Sequence, residues 1–431
     1  MELSKELARK VLAILYEEVV PAQGCTEPIA IAYAGAKTKE ILGMIPERVV
    51  IHVSGNMIKN VKSVIVPGSG GMVGIEVAAA MGIVAGDASK DLMVIANITA
   101  DVMEEVKAFL KATTIEVIHE ETDTKLYVRM ELYAKGESAS VEIKHVHTNI
   151  TQIRKNGELL LAQPCHDMDF NSSLEDRSIL SIERIYEIVN HIDLNLIEPL
   201  LLKVVDLNSK IAQEGLAGTY GVNIGKIIQS NIDSGMYGDD VRNRAASFAS
   251  AGSDARMSGC ALPVMTTSGS GNQGMAASLA LVSYAKTMNI GHEKLMRALC
   301  FSHLATVHIK GKVGRLSAYC GVICALAAVS GALAYINDEP YLVIANSIGN
   351  TLGDISGIIC DGAKSSCAMK IATSTYAAFD AYLLAKEGRF LKGGEGIVGC
   401  DIETTLQNIG ELSHEGMCIT DKVILGIMNK K

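Results

Sequence analysis

The chain has 431 residues and a formal net charge of −9, and 48% of its residues are hydrophobic while only 20% are charged. The acidic balance and the lack of a basic stripe argue against a nucleic-acid-binding protein. This length predicts one large domain or two medium ones. Because the apolar side chains are mostly small, we expect close helix packing and a buried interface between copies of the chain.

The first twenty residues predict a charged amphipathic helix with no apolar signal core, so we expect a cytoplasmic protein. Ten cysteines without a secretion signal predict reduced thiols and not a disulfide framework. The most apolar stretch, residues 319–336, falls just short of the roughly twenty residues that span a membrane. It predicts a buried core helix, and no membrane partner is expected.

In chain order, the first 172 residues predict a mixed α+β part. Residues 1–42 predict two helices separated by a proline-bounded turn, with the second helix starting at Pro28. Residues 49–53 and 61–66 predict strands. Alternating β-branched and polar residues over 114–161 predict a three- or four-stranded antiparallel unit with turns at KGES and KNGE.

Residues 173–431 predict a predominantly helical part with glycine-rich breaks. The sequence therefore predicts an α+β fold with two parts, 1–172 and 173–431. The first contains the small antiparallel sheet and the second the candidate metal ligands, and together they form one catalytic unit.

Three cysteines in the second part, Cys320, Cys360 and Cys367, lie beside predicted helix breaks. We expect Cys320 one turn into a helix, and Cys367 near the start of another, after a stop at Asp361-Gly362, where the helix dipole favours a thiolate. Three thiols can hold an iron–sulfur cluster and leave one iron open as a Lewis acid in a non-redox lyase. Their spacing is not a general ferredoxin signature, and thiols that simply fill an alanine-rich core remain the alternative.

Other polar groups are candidates for substrate chemistry. Cys25 lies between two prolines, in a turn where a thiol can be exposed and its pKa tuned. Lys364 and Arg315 lie close in sequence to the three cysteines and can bind a carboxylate. The glycine- and serine-rich residues 266–274 open a helix with backbone donors suited to a carboxylate or phosphate. The candidate substrate-binding residues are Ser54, Asn56, Ser268, Ser270, Asn272 and Arg315.

Two histidines, His145 and His147, alternate on a predicted strand and point to the same side. They suit a metal or a substrate, and a hydrogen-bonded pair on an edge strand is the simpler alternative.

An ordered set of motifs extends nearly from end to end: GCTEP at 24–28, SGN at 54–56, PGSGG at 67–71, HTNI at 147–150, SGSGNQG at 268–274, GRLSAYCG at 314–321 and CDGAKSSCAMK at 360–370. Together they resemble the iron–sulfur L-cysteine desulfidases, relatives of the catalytic domain of iron–sulfur L-serine dehydratases. The resemblance implies an oxygen-sensitive [4Fe–4S] cluster with Cys320, Cys360 and Cys367 as ligands. It also implies breakdown of L-cysteine to pyruvate, ammonia and sulfide.

The expected reaction is an α,β-elimination in which the substrate thiolate binds the open iron. Cys25 is the candidate base for the α-proton, with Lys364 in reserve, and the loop at 268–274 is the candidate carboxylate site. The short DGAKSS spacer and the lack of a further regulatory domain favour cysteine over serine as substrate. The alternatives are an iron–sulfur L-serine dehydratase, a zinc or pyridoxal phosphate enzyme, and a non-enzymatic helical oligomer or membrane-associated protein.

Overall fold

The computed structural model describes residues 3–165 and 175–430, and the fold is α+β, as predicted. The α-helices are α1 (Lys5–Glu18), α2 (Thr26–Leu42), α3 (Gly55–Val61), α4 (Ile75–Ala85), α5 (Ala100–Ala112), α6 (Ile182–His191), α7 (Leu194–Ala217), α8 (Ile224–Asp233), α9 (Val241–Met257), α10 (Gly271–Met288), α11 (His292–Val313), α12 (Gly321–Ile336), α13 (Tyr341–Ile355), α14 (Ser366–Lys386), α15 (Ile402–Glu411) and α16 (Met417–Asn429). The strands are β1 (Pro21–Gln23), β2 (Arg48–Ser54), β3 (Thr114–Glu120), β4 (Tyr127–Ala134), β5 (Glu137–Lys144), β6 (Ile150–Lys155), β7 (Glu158–Ala162) and β8 (Pro263–Met265).

The larger sheet has the strand order β3-β2-β4-β5-β6-β7. It is mixed and not wholly antiparallel, because β2 pairs parallel to β3 and antiparallel to β4. The two predicted hairpin turns are confirmed. In each, at Lys135-Gly136 and at Asn156-Gly157, both turn residues have positive φ, as a type I′ turn requires. Alternate residues of β4, such as Met130 and Leu132, are buried in the core that this sheet shares with α2 and α4.

Two details of the predicted elements differ from the structure. Residues 61–66 are not a strand: Val61 ends α3, and Ile65 makes only an isolated bridge with Val73. The glycine-rich loop between those two bridge partners turns the chain back too soon for a longer ladder. Helix α2 begins at Thr26 and not at Pro28, because Cys25 already has the extended backbone of an N-cap.

A second core is formed by the helices of the C-terminal half, with α12 packed against α10, α11, α13 and α14. Residues 322–336 of α12 are all buried, as predicted for this apolar stretch. Within residues 3–165 and 175–430, no helix has the length and apolar character needed to span a membrane.

The two cores are joined near the N-terminus. Helix α1 packs its apolar face, including Val11 and Leu15, into the helical core. Strand β1 then pairs antiparallel with β8, so that Pro21 lies opposite Met265. This pairing brings the turn at Gly24-Cys25 to the loop that follows β8. The predicted boundary at residues 172/173 lies outside the described residues.

Candidate functional site

Two of the three candidate cysteines are held next to each other by backbone hydrogen bonds. Tyr319 and Ile359 form an isolated antiparallel bridge. The N–H of Cys360 donates to the carbonyl oxygen of Ala318 at 2.6 Å, and the N–H of Cys320 donates to that of Ile358 at 3.3 Å. Cys320 is the N-cap of α12 and does not lie one turn into a helix, because α11 continues through the predicted glycine break to Val313.

The third cysteine, Cys367, is the second residue of α14, as expected for a thiol at a helix start. Its Sγ lies 3.8 Å from the carbonyl oxygen of Gly362. Gly362 has a φ of +98°, and a Cβ there would overlap the carbonyl oxygen of Lys59. The preceding helix ends earlier than predicted, at Ile355, so residues 356–365 form a loop. Only glycine permits the close approach by which this loop turns from Cys360 to Cys367.

The three thiols lie near enough to influence one another electrostatically. Burial, together with the neighbouring Cys360 and Cys367 thiols, raises the pKa of Cys320 to about 12. Burial also raises the pKa of Cys367, and Cys360 adds to that rise. A cluster in which neighbouring thiols disfavour the ionisation of Cys320 and Cys367 suits a cationic metal group, because metal binding deprotonates its thiol ligands.

Three cysteine thiolates are a donor set that can hold an iron–sulfur cluster. In the described part of the chain, no group of three His, Cys, Asp or Glu side chains is arranged to hold one metal ion. In a cuboidal cluster each thiolate binds a separate iron, so the three sulfurs need not converge on a point. Cys320, Cys360 and Cys367 are therefore the residues that would hold such a cluster.

Cys25 lies beside this group but is buried, with 3% of its surface exposed, and not exposed in the turn as expected. It belongs to a small apolar cluster with Met257 against which Cys367 packs. Its Sγ donates a hydrogen bond to Glu27 Oε2 at 3.1 Å. The Thr26 hydroxyl donates to the carbonyl oxygen of Gly269 at 2.8 Å, so the turn is tied directly to the loop at 266–274.

Burial raises the pKa of Cys25 well above its ordinary value, and the nearby Glu27 carboxylate raises it further. The charge of Arg256 acts in the opposite direction. In this site Cys25 is therefore a protonated thiol whose proton already points at a carboxylate oxygen.

Lys364, the reserve candidate for the base, is already paired with a carboxylate. Lys364 forms an ion pair with Asp361 at 2.6 Å, and Lys370 pairs with the same carboxylate. The residue that reaches the cysteine loop is instead Lys59, which is 2% exposed. Its Nζ donates to the carbonyl oxygen of Cys360 at 3.2 Å and lies 2.5 Å from Asp421 Oδ1 on α16.

The glycine- and serine-rich loop at 266–274 is buried against the Cys25 turn. Ser268 and Gly269 both have positive φ, +49° and +77°. The Ser270 hydroxyl accepts weakly from the N–H of Gln273, at 3.4 Å, as the N-cap of α10. Asn272 accepts a hydrogen bond from Ser253 on α9. The side chains of Ser270 and Asn272 thus support the loop and the start of α10.

Arg315 and His147 lie on the other side of this loop. A Cβ on Gly269 would lie 2.9 Å from His147 Cε1 and 3.2 Å from Arg315 Nη1. Arg315 donates to the buried carboxylate of Glu18 at 2.6 Å. His147 does not lie on the predicted strand, because β5 ends at Lys144. Its side chain is buried, and its Nε2 has no hydrogen-bond partner in the described residues. Burial lowers the pKa of His147 to about 4.

Ser54 and Asn56 are placed differently from the other candidates. The Ser54 hydroxyl donates to the carbonyl oxygen of Lys125 at 2.6 Å, and the Asn56 amide donates to Asp421 at 3.3 Å. In residues 3–165 and 175–430, neither side chain hydrogen-bonds to the loop at 266–274. The SGN segment therefore meets the cysteine loop through Asp421 and Lys59.

A pocket of about 100 Å³ opens between α16 and the segments around residues 125 and 315. Arg315, Cys418 and Asp421 are among its lining residues. Arg315 also lines a smaller pocket next to Ser268. This arginine thus lines both pockets, and the smaller one reaches the loop at 266–274 through Ser268.

Three residues at the centre of the site were not identified from the sequence: Glu27, Lys59 and Arg256. Glu27 was visible only as part of the GCTEP motif. Arg256 carried a signal that was overlooked, since it and Asp254 are the only charged residues in the buried stretch 245–257 of α9. A charge among buried alanines and serines is rarely there for packing.

Comparisons with known proteins give the family. The profile of the serine dehydratase alpha chain family matches residues 89–426. The UPF0597 protein FN1147 of Fusobacterium nucleatum is 56% identical over 421 residues, covering 98% of this chain and 99% of that protein. The UPF0597 protein DSY1109 of Desulfitobacterium hafniense is 46% identical over 429 residues, covering 99% and 98%. The chain therefore belongs to the serine dehydratase alpha chain family.

Proposed function

We propose that this protein is an iron–sulfur-dependent lyase that carries out α,β-elimination on L-cysteine and releases pyruvate, ammonia and sulfide. The observation that carries the proposal is the grouping of Cys320 with Cys360 and Cys367, which lie at the two ends of one loop, next to the cluster of Cys25 against which Cys367 packs. Packing of the core requires small apolar side chains at such positions, but it does not require thiols so close that Cys360 raises the pKa of both Cys320 and Cys367.

Cys320, Cys360 and Cys367 would hold a [4Fe–4S] cluster, which supplies a Lewis acid for the departing sulfur when it is bound. The chain's own contribution is the proton chemistry at the α-carbon. Cys25 acts as the base once its proton has moved along the hydrogen bond to Glu27 Oε2. Glu27 is held for this purpose by Thr26 and by Asn60, which donates to the other carboxylate oxygen at 3.1 Å.

L-Serine is the second candidate substrate, favoured by the family to which the chain belongs. Elimination from serine would use the same cysteines and the same base, with hydroxide leaving in place of hydrosulfide. The ratio of kcat/KM for the two amino acids, measured on one anaerobic preparation, separates the two candidates. We expect the ratio to favour L-cysteine.

The first experiment tests the ligands. The protein is purified without oxygen, and its iron, acid-labile sulfide and visible absorption are measured together with sulfide release from L-cysteine. We expect Cys320→Ala, Cys360→Ala and Cys367→Ala each to lose iron and activity. Cys300→Ala is the matched control, since this thiol is fully buried in α11. Three variants that keep full iron content would contradict the ligand assignment.

The second experiment tests the base. We expect Cys25→Ala to keep its iron and to lose about 10²–10⁴ in kcat, the usual contribution of general acid–base catalysis. Glu27→Gln preserves a hydrogen-bonding side chain but removes the proton acceptor, so it should lose activity as well. Lys364→Met should retain activity. If Lys364→Met is inactive and Cys25→Ala is active, the roles are reversed.

A further inference from the structure

Arg256 is a buried cation with no counterion among residues 3–165 and 175–430. It lies near the end of α9 with 2% of its surface exposed. Its Nε is buried and has no hydrogen-bond partner, and no carboxylate among the described residues forms an ion pair with it. Buried arginines are almost always paired, because an isolated charge is costly to remove from water. An unpaired buried guanidinium therefore indicates that an anion is missing.

The guanidinium lies against the start of α10, so a second positively charged group adjoins it. A Cβ on Gly271, the first residue of α10, would lie 2.7 Å from Arg256 Cζ. The N-terminus of a helix carries roughly half a positive charge and leaves its first N–H groups without intrahelical partners. Two positive groups are thus placed side by side in a buried site. An anion bound between them would satisfy both.

Glu27, the acidic residue of the Cys25 turn, does not fill this role. Both carboxylate oxygens of Glu27 already accept hydrogen bonds, from Cys25, Thr26 and Asn60. The position nevertheless belongs to the candidate active site. Burial raises the pKa values of Cys25 and Cys367, and the charge of Arg256 opposes the rise at both thiols.

We propose that the Arg256 guanidinium and the N-terminus of α10 together bind the α-carboxylate of the substrate amino acid, an inference that rests on the proposed elimination at this site. A guanidinium binds a carboxylate through two parallel N–H···O hydrogen bonds, and the helix N–H groups donate further hydrogen bonds to the remaining lone pairs of the carboxylate oxygens. A substrate anchored there has its α-carbon toward Cys25 and its β-substituent toward the three candidate ligands. The site therefore selects free α-amino acids over amines and amides.

The test uses the iron-loaded protein and two binding probes that each lack one group of L-cysteine. 3-Mercaptopropionate has the thiol and the carboxylate, and 2-aminoethanethiol has the thiol and the amine. Dissociation constants are measured by calorimetry, and iron content is measured in parallel. We expect Arg256→Met to weaken 3-mercaptopropionate binding about 100-fold, as loss of a bidentate charged contact predicts. Binding of 2-aminoethanethiol and iron content should stay unchanged.

Two further variants control for folding and for charge. Arg256→Lys keeps the cation but not the paired donors, so its loss should be smaller than that of Arg256→Met. Arg244→Met removes an exposed arginine of the same helix, one that pairs with Asp239, and should change neither dissociation constant. Equal weakening of both probes in Arg256→Met, or no weakening of either, would overturn the proposal, as would a wild-type protein that does not bind 3-mercaptopropionate.

The outcome also separates this inference from the proposed function. If the wild-type protein releases sulfide from L-cysteine and Arg256→Met binds 3-mercaptopropionate normally, the carboxylate site is wrong while the lyase stands. If no sulfide is released but 3-mercaptopropionate binding still depends on Arg256, the carboxylate site stands and the reaction is wrong. L-Serine and L-serinamide serve as the second pair of probes in that case.

Discussion

The buried ion pair between Lys59 and Asp421 gives a quantitative test of how α16 is held against the candidate site. The two side chains are 2% and 9% exposed, and Lys59 also donates to the carbonyl oxygen of Cys360. Lys59→Met keeps a long side chain but leaves a buried carboxylate without its cation. Removal of one partner from a buried pair costs about 3–5 kcal/mol. We expect the free energy of unfolding to fall by that amount.

Two controls separate the buried charge from a general effect of losing a lysine. Lys107 pairs with Glu104 on the surface, where the side chains are 46% and 73% exposed. Lys107→Met should therefore cost less than about 1 kcal/mol. The double variant Lys59→Met/Asp421→Leu has no buried charge left, so it should be more stable than Lys59→Met alone, by at least about 1 kcal/mol.

The assay is urea unfolding of anaerobically purified protein, followed by circular dichroism and by tyrosine emission, since the chain has 13 tyrosines and no tryptophan. Iron content is measured on the same samples, because loss of Lys59 also frees the loop that carries Cys360. The reasoning is refuted if Lys59→Met is no less stable than Lys107→Met. It is also refuted if the double variant is less stable than Lys59→Met.

Two other predictions concern the cysteine loop and pH. Gly362→Ala places a side chain at a residue with positive φ and against the Lys59 carbonyl oxygen. It should lower the free energy of unfolding by about 1–3 kcal/mol and reduce the iron content. Gly357→Ala, in the same loop, is the control, because its added Cβ meets nothing within 4 Å and should leave both quantities unchanged. Burial lowers the pKa of His303 to about 4, so between pH 6.5 and 4 the unfolded chain binds a proton that the folded chain does not. Stability should fall by about 3 kcal/mol as pH drops through that window. The fall should be smaller in urea titrations of His303→Gln, and an unchanged pH dependence would contradict this explanation.

The sheet could be predicted in part because its signal is local. Alternation over 114–161 and the two Gly-containing turns were sufficient to predict the hairpins. The position of β2 inside the sheet could not be predicted, since its parallel pairing with β3 depends on how α3, α4 and α5 connect them. Such a crossover is decided by packing and not by the residues of either strand.

The candidate site shows the same division. The motifs around Cys25, residues 268–274, Cys320 and the Cys360–Cys367 loop were recognisable, and the structure brings them together. Arg256 could not be assigned a role from sequence, because its position depends on the contact between α9 and the start of α10. The predicted exposure of Cys25 was wrong for a similar reason: a Cβ at Gly24 would overlap Pro67, which shows how closely the chain covers this turn.

The short pairing of β1 with β8 has a consequence for biosynthesis. Pro21–Gln23 finds its partner strand only at Pro263–Met265, more than two hundred residues later in the chain. During translation the strand that precedes the GCTEP turn therefore has no pairing partner until β8 has been synthesised. A cofactor that binds Cys367 can be inserted only after that residue has also been synthesised. A truncated product that ends before β8 would have an unpaired β1 and none of the three candidate ligands.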